Sequence, residues 1–451
     1  KMTKGFLGRR LSAILLAGAM LFALGGCGSS KTPISNVSSN PTAETTGLTE
    51  SIDTTVSTDT AASTDTDTTA STDTTAATTP TKATTKATTT KATTTTTKAP
   101  TTTTKTPGDG KYTNPYGIYD VLKTYMGGSD LSERQLGPSV GYLVDGKYKD
   151  TMFDSFIFLP SPCYLYDTSD PELQAEGCHK RMTKADWLSY LTDLQNVPGH
   201  NVEALDAAVG ETKAALGLTD YKANIFPSIL YPTKGTADKF GEVYGKKLDL
   251  RDPADRLASI KWMVDEQIRQ FESHHYQNLR LAGFYWFTEY VDIEADAAML
   301  REFTDYVRSL GYITIWSAFY RAGGFNRWQE CHFDLTSMQT NYFPSEPQLP
   351  NAGGVERLKE NAELTDSLGM GVELEADNPA KERGITAFKE YMKAGLDYGY
   401  ADGYHVYYIG GGPSELCTIY NHQDPYFQSM YHDLYKFLKG KLKASEMELR
   451  L

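Results

Sequence analysis

The second half of the chain alternates between two hydrophobic periods. From residue 279 onward, short apolar runs such as LAGFYWFTEYV, YITIWSAFY and MGVELEAD alternate with longer stretches such as ADAAMLREFTDYVRSLG and ITAFKEYMKAGLDYG. The runs have the continuous apolar character of buried parallel strands, and the longer stretches carry apolar residues at helical spacing. A strand followed by a helix, repeated along the chain, predicts a parallel sheet covered by helices.

Eight strand-like runs can be counted along the chain. They begin near residues 139, 153, 223, 281, 312, 335, 370 and 404. Eight strands with outer helices are the count of a TIM barrel, so the predicted fold is an α/β (β/α)8 TIM-like barrel. The first two runs, SVGYLVD and FDSFIFLP, are joined by a short turn without a helix. A barrel distorted at strands 1 and 2, a seven-stranded barrel and an open doubly wound sheet are therefore alternatives.

The first 109 residues do not have the composition of a folded domain. Residues 1–27 combine a basic start, the apolar run LSAILLAGAMLFAL and the sequence LGGC, which is the pattern of a secretory signal. Residues 28–109 are rich in Thr, Ser, Ala, Lys and Pro and contain too few large apolar side chains to form a core. This composition predicts a disordered linker. Residues 110–451 have the length and aromatic content of one large α/β domain.

The sequence LGGC ends at Cys27 and resembles the bacterial lipobox. The resemblance implies that Cys27 is lipidated and that the protein is anchored in the cytoplasmic membrane, on its extracellular face. An ordinary signal peptide with an unrelated cysteine is the alternative. Cys163, Cys178, Cys331 and Cys417 allow two disulfides in three pairings outside the cell, and none of them has the CxxC spacing of a metal site.

The charge of the chain bears on its partners. The formal net charge is −13 and the sequence pI is about 5.2. Nucleic acid binding requires a basic surface for the phosphates, and the folded part has no basic stripe. We expect a monomer that does not bind nucleic acid.

Acidic residues lie near the ends of two of the predicted strands. Glu289 closes the fourth run, and Glu373 and Glu375 alternate on one face of the seventh. A carboxylate inside an apolar strand is costly to desolvate, so its presence there suggests a function. In a TIM barrel the carboxyl ends of the strands meet at the active site. Two carboxylates facing each other there suit glycosidic bond hydrolysis, in which one donates a proton and the other attacks or activates water.

Other polar and aromatic residues in these strands are candidates for binding the substrate. Aromatic rings stack on the apolar faces of sugars, and amide, carboxylate and imidazole groups bind hydroxyls. The candidates are Asp154, Tyr285, Trp286, Trp316, Tyr320, Gln339, Asn341, Tyr342, His405 and Tyr407. Asp154, Glu289, Glu375 and His405 could instead surround a divalent cation, but no short ligand motif supports this alternative, and we expect neither a metal nor a cofactor.

The placement of acids on strands four and seven resembles the clan of retaining TIM-barrel glycoside hydrolases. The resemblance implies that Glu289 is the acid/base and Glu375 the nucleophile, with Glu373 one layer deeper as the competing candidate. The clan usually has Asn before its acid/base, whereas this chain has Thr288.

The whole folded part resembles the bacterial domain-of-unknown-function family numbered 4855. The resemblance rests on YGIYDVLKTYMGG, FDSFIFLPSP, GFYWFTEYV and GVELEAD and covers about residues 112–440. It implies a secreted protein that accompanies carbohydrate-degrading systems. We therefore expect a surface-anchored glycoside hydrolase that acts on a polysaccharide. The alternatives are a non-catalytic carbohydrate-binding lipoprotein with the same barrel and a structural lipoprotein.

Overall fold

The structure is a computed structural model that describes residues 114–126, 131–160, 183–233, 240–349 and 352–450. The predicted signal peptide with Cys27, the linker, Cys163 and Cys178 all lie outside these residues.

Eight parallel strands form a closed barrel. In chain order they are β1 (Asp120–Met126), β2 (Ser155–Pro160), β3 (Ala223–Ile229), β4 (Gly283–Trp286), β5 (Ile313–Ala318), β6 (Leu335–Gln339), β7 (Gly371–Ala376) and β8 (His405–Ile409). Each strand pairs with the next, and β8 pairs with β1, which closes the ring. A short strand, Leu279–Leu281, precedes β4 and also pairs with β3. The fold is a (β/α)8 TIM barrel, which confirms the predicted fold class.

Nine helices are present among the described residues. They are α1 (Glu133–Val140), α2 (Lys184–Gln195), α3 (Asn201–Leu216), α4 (Pro253–His274), α5 (Ile293–Ser309), α6 (Glu356–Leu368), α7 (Glu382–Tyr398), α8 (Pro413–Tyr420) and α9 (Pro425–Leu438). Two short 3-10 helices, Phe325–Cys331 and Ala444–Glu446, accompany them.

The ends of the helices follow from local residue chemistry. Asp292 accepts a hydrogen bond from the backbone of Ala295 and so caps α5, just after the segment that carries Glu289. Gly369 follows α6 with a φ of 65°, a left-handed conformation that glycine adopts without strain. The chain can therefore turn directly from α6 into β7. Among the described helices, none combines the length and the apolar composition that a membrane-spanning segment requires.

The predicted position of the first strand was wrong. In the run SVGYLVD, Ser139 and Val140 end α1, and Gly141–Val144 pairs antiparallel with Lys147–Thr151 in a hairpin outside the barrel. The apolar character of this run comes from packing on α9, where Tyr142 stacks on Tyr435. The true first strand has a lysine and a threonine at its centre and therefore lacks a continuous apolar run. A second small hairpin joins Gly241–Val243 and Lys246–Leu248.

The barrel has an inner face and an outer face, which alternate along each strand. The outer face packs against the helices; Trp286, for example, contacts Phe303 of α5. Burying a large apolar side chain in this layer contributes about 1.5–3 kcal/mol. The inner face carries polar groups, described below. Cys331 and Cys417 are free thiols, so these two cysteines do not form a disulfide in the structure.

Candidate active site

A buried ion pair crosses the interior of the barrel. Lys123 of β1 and Glu373 of β7 lie 2.7 Å apart, Nζ to Oε1, and their side chains are 3% and 2% exposed. Ser317 of β5 donates a hydrogen bond to the other oxygen of Glu373, and Ser337 of β6 donates to Ser317 over 2.8 Å. The small serines leave room for the two long side chains. Burial disfavours the ammonium of Lys123, but the charge of Glu373 and its other neighbours outweighs burial and holds the lysine pKa well above its usual range.

Glu289 lies next to this ion pair, three residues after β4. The backbone there still follows the barrel, since Phe319 N donates to Glu289 O over 2.9 Å. The Glu289 carboxylate accepts a hydrogen bond from Gln339 Nε2 over 2.5 Å, and its Oε1 lies 3.7 Å from Lys123 Nζ. Its side chain is 20% exposed, more than that of Glu373. Burial raises the pKa of Glu289, although the charge of Lys123 opposes this effect.

Glu375 is held by donors from the end of β6 and from α7. Its Oε2 accepts hydrogen bonds from the backbone nitrogens of Thr340 and Asn341, at 2.9 and 2.6 Å, and from the hydroxyl of Tyr391 at 3.2 Å. Its Oε1 has one longer contact, 3.4 Å to Asn341 Nδ2, within the described residues. Burial, followed by the charge of Glu373, raises the pKa of Glu375 to about 8, although the donors oppose this shift.

Two amide side chains connect Glu289 to Glu375. Gln339 donates to Glu289, and its own Oε1 lies 3.4 Å from Asn341 Nδ2, which also faces Glu375. Asn341 has a φ of 52°, and its Oδ1 accepts a hydrogen bond from the backbone of Tyr320 over 3.2 Å. Asparagine tolerates this left-handed conformation better than most residues. The two acids are thus fixed relative to each other by Gln339 and Asn341.

The structure brings several predicted residues together at the carboxyl ends of the strands. Three predicted acids lie together there with Lys123, which was not predicted. We call this group the Lys/Glu cluster; its acids are Glu289, Glu373 and Glu375. Tyr285, Gln339 and Asn341 also border it, and the ring of Tyr285 lies 5.9 Å from Lys123 Nζ. Tyr320 follows β5 and binds Asn341 through its backbone.

Other predicted residues lie elsewhere. Trp286 and Trp316 are buried on the outer face, where they contact Phe303 and Phe333, and Tyr342, three residues after β6, is buried against Tyr391 of α7. They are therefore core residues and cannot stack on a sugar in the barrel. Trp316 does have an indirect role, because its Nε1 donates to the carbonyl of Thr288 over 2.8 Å and so fixes the segment that carries Glu289.

His405, Tyr407 and Asp154 also lie away from the cluster, near the amino ends of the strands. His405 Nδ1 and the hydroxyl of Tyr407 bind Asp120 at 3.0 and 2.6 Å. The prediction correctly placed His405 and Tyr407 on one face of β8, but this is the outer face. Val406 and Tyr408 occupy the inner face, since Tyr408 pairs with Glu375 in register. Asp154 accepts a hydrogen bond from Ser155 over 2.9 Å.

These positions also rule out the metal site considered from the sequence. Asp154 and His405 are at the opposite end of the barrel from Glu289 and Glu375, and the described residues contain no group of three or more metal-binding side chains. The ammonium of Lys123 lies where a cation between Glu289 and Glu373 would lie.

The sequence-based prediction missed Lys123, Tyr391, Tyr125 and Tyr408. Tyr125 and Tyr408 lie edge to face at the carboxyl ends of β1 and β8, with ring centroids 6.0 Å apart, and both are half-buried. A signal for Lys123 was present, because a lysine between apolar residues in DVLKTYM is as costly to bury as Glu373. No signal marked Tyr391, which reaches Glu375 from a helix.

Comparison with known proteins gives a family and a set of distant structures. The sequence model described as "Domain of unknown function (DUF4855)" matches residues 120–436. No curated protein matches the chain.

Three similar solved structures have low sequence identity to this chain and TM-scores below 0.5. Beta-methylaspartase from Clostridium tetanomorphum has 9% identity and a TM-score of 0.35, with 73% of this chain and 62% of that chain covered. Native xylanase 10C from Cellvibrio japonicus has 9% identity and a TM-score of 0.35, with 73% and 72% covered. The tryptophan synthase α-subunit from Pyrococcus furiosus has 11% identity and a TM-score of 0.32, with 72% and 98% covered. The chain spans about three fifths of the length of the beta-methylaspartase.

Proposed function

We propose that this chain, which belongs to the family described as domain of unknown function DUF4855, is a glycoside hydrolase that acts on a polysaccharide. The observation that supports this proposal is the pair Glu289 and Glu375. Both carboxyl groups lie at the carboxyl ends of barrel strands, both have raised pKa values, and they are joined through Gln339 and Asn341. TIM-barrel enzymes have their active sites at this end.

The surroundings of Glu289 and Glu375 favour at least one protonated carboxyl group, because burial raises the pKa of both. Lys123 neutralises Glu373, with which it makes its shorter contact. Two buried carboxyl groups remain, and burial makes it costly for both to be ionised at once. One protonated and one ionised carboxyl group are what glycosidic bond hydrolysis needs.

We assign the acid/base role to Glu289. Its side chain is the most exposed of the three acids that the strands bring together, so a leaving oxygen can reach it. Burial raises the pKa of Glu289, which is the direction that a proton donor requires.

We assign the nucleophile role to Glu375. Three donors fix its Oε2, whereas its Oε1 has a single 3.4 Å contact and is free to attack. Donors of this kind stabilise the ionised carboxylate that attacks. Both oxygens of the competing Glu373 are engaged, one by Lys123 and one by Ser317, so Glu373 is less suited to attack.

The reaction then proceeds in two displacements with retention of configuration. Glu375 Oε1 forms a bond to the anomeric carbon while the glycosidic C–O bond breaks, and the proton of Glu289 passes to the leaving oxygen. Water then attacks the anomeric carbon of the glycosyl ester, gives its proton to Glu289 and releases Glu375. Tyr125 and Tyr408, half-buried at the ends of their strands, are suitable for contact with the sugar.

The proposal includes attachment at the cell surface. The LGGC sequence supports lipidation of Cys27, and the Thr-rich residues 28–109 would then hold the barrel away from the membrane, on its extracellular face. Metabolic labelling with an alkyne fatty acid should label the parent protein but not Cys27→Ala. Equal labelling of both proteins would refute the anchor.

The catalytic proposal is tested by digestion of a broad polysaccharide panel with the parent, Glu289→Gln and Glu375→Gln. Glu363→Gln, which changes an exposed glutamate on α6, is the matched control. We expect the parent and the control to release reducing ends from at least one polysaccharide, and each site variant to be slower by ~10²–10⁴-fold. Parent-like rates in both site variants, or binding of polysaccharides without any cleavage by the parent, would overturn the proposal.

A further inference from the structure

A group of cationic and aromatic side chains lies beside the proposed active site. The ring of Tyr320 has the guanidinium of Arg357 at 4.4 Å and that of Arg321 at 5.3 Å from its centroid. The backbone nitrogen of Tyr320 donates to Asn341 Oδ1, and Arg357 Nη1 donates to the carbonyl of Asn341 over 3.3 Å. Arg357 therefore contacts Asn341 directly, whereas Arg321 is linked to Asn341 only through Tyr320. We call Tyr320, Arg321 and Arg357 the arginine rim.

The backbone conformation and the exposed charge of Arg321 are unfavourable without a ligand. Arg321 has a φ of 54°, a left-handed conformation that costs free energy in a residue other than glycine. Its side chain is exposed, and it forms no ion pair with any described residue.

The described carboxylates near Arg321 do not form an ion pair with its guanidinium. Glu360 accepts a hydrogen bond from the hydroxyl of Tyr320 over 3.2 Å, at the end of the ring and not over its faces. Glu356, in the first turn of α6, lies against Gly354. Neither forms an ion pair with Arg321 among the described contacts, so the exposed guanidinium has room for an anionic ligand.

We infer that the arginine rim binds an anionic group on the polysaccharide, so that the substrate contains acidic sugars. A guanidinium binds a carboxylate or sulfate through two parallel hydrogen bonds. The aromatic ring of Tyr320 holds the guanidinium of Arg321 in place. The inference rests on the proposed function, because it assigns a substrate class to the same site. The anionic group is the carboxylate of a uronic acid or a sulfate ester, which share this chemistry.

The test measures binding, so that it does not depend on turnover. The full chain carrying Glu375→Gln is run in native gels that contain pectate, alginate, glucuronoxylan, chondroitin sulfate or carrageenan, and in gels with carboxyl-reduced pectate and a neutral xylan. The same background carries Arg321→Gln, Arg321→Lys or the control Arg269→Gln, which changes an exposed arginine of α4 that pairs with Glu266. The uronate and sulfate gels distinguish the two sources of negative charge.

We expect retardation by at least one acidic polysaccharide and a weaker effect at higher salt concentration. Arg321→Gln should weaken this binding by ~10-fold or more, since a hydrogen-bonded charge pair is lost, while Arg321→Lys retains part of it and Arg269→Gln retains all of it. Equal binding of the neutral polymers, unchanged binding by Arg321→Gln, or no binding of any acidic polymer would overturn the inference. Arginine-dependent binding of an acidic polymer that the parent does not cleave would support the inference and contradict the catalytic proposal.

Discussion

Lys123 and Glu373 form an ion pair of 2.7 Å inside the barrel, between its first and seventh strands. The two residues are 250 positions apart in the chain, and closure of the barrel brings them together. Because both side chains are almost fully buried, neither charge is tolerated without the other. Closure of the barrel therefore also places the charges of Lys123 and Glu373 where they affect the pKa values of Glu289 and Glu375.

Loss of the lysine charge should destabilise the fold. Lys123→Met keeps the length of the side chain but leaves Glu373 buried without its partner, and we expect a loss of about 3–5 kcal/mol in the free energy of unfolding. Denaturant unfolding measures this loss. The double variant Lys123→Met with Glu373→Gln should recover much of it, and Lys359→Met, on the exposed face of α6, should change stability by less than about 0.5 kcal/mol. A Lys123→Met protein as stable as the parent would show that the ion pair has no such role.

Glu375→Gln should increase stability at neutral and alkaline pH. Burial, with the charge of Glu373, raises the pKa of Glu375 from 4.5 to about 8 in the folded protein. A raised pKa means that the folded state favours the protonated carboxyl, so stability is greatest at low pH and falls as pH rises towards about 8. Glutamine mimics the protonated form, and we expect a gain of at least about 1 kcal/mol at pH 8 over the parent. Thermal unfolding across this pH range should show it, and equal stability of the two proteins at pH 8 would contradict the raised pKa.

The pH dependence of catalysis should reflect the same group. Glu375 must be ionised to attack and Glu289 must be protonated to donate, so kcat/KM should have a bell-shaped pH profile with one limb near the Glu375 pKa of about 8. Initial rates on any cleaved polysaccharide, measured from pH 4 to 10, give this profile. A profile without a limb near pH 8 would contradict the raised pKa of Glu375.

The amino end of the barrel should show a separate effect of pH on stability. Burial raises the pKa of Asp154 from 3.8 to about 6, although the hydrogen bond from Ser155 opposes this shift. Stability should therefore fall as pH rises from about 4 to about 6 and then level off. Asp154→Asn removes this dependence, so it should be more stable than the parent above pH 6 by up to about 3 kcal/mol and should keep parental activity. The exposed variant Asp220→Asn is the control, and unchanged pH dependence in Asp154→Asn would contradict the assignment.

The sequence predicted the fold class because seven of the eight barrel strands are apolar runs of the expected length. The first strand was missed because Lys123 interrupts its apolar pattern, and the cost of burying that lysine is offset by Glu373, a partner that the local sequence does not reveal. The apolar run chosen instead, GYLV, owes its character to packing against Tyr431 and Tyr435 of α9.

The same limit applies to the candidate site. Alternation along a strand correctly groups Glu373 with Glu375 and His405 with Tyr407, but it does not tell which group faces the barrel interior. For β8 the structure resolves this through register, since Tyr408 lies opposite Glu375. Tyr391 illustrates a further limit, because a helix residue that reaches over the end of a strand has no sequence pattern of its own.

The most direct test of the central claim is to identify the carboxylate that becomes bonded to the sugar. The parent, Glu375→Gln and Glu373→Gln are treated with a panel of activated 2-deoxy-2-fluoroglycosides, including uronic acid derivatives, and their peptides are analysed by mass spectrometry. We predict that the parent and Glu373→Gln carry the added sugar on Glu375, within the sequence GVELEADNP, and that Glu375→Gln carries none. A sugar attached to Glu373 or Glu289, or cleavage of polysaccharide with inversion and without any attached sugar, would contradict the assignment.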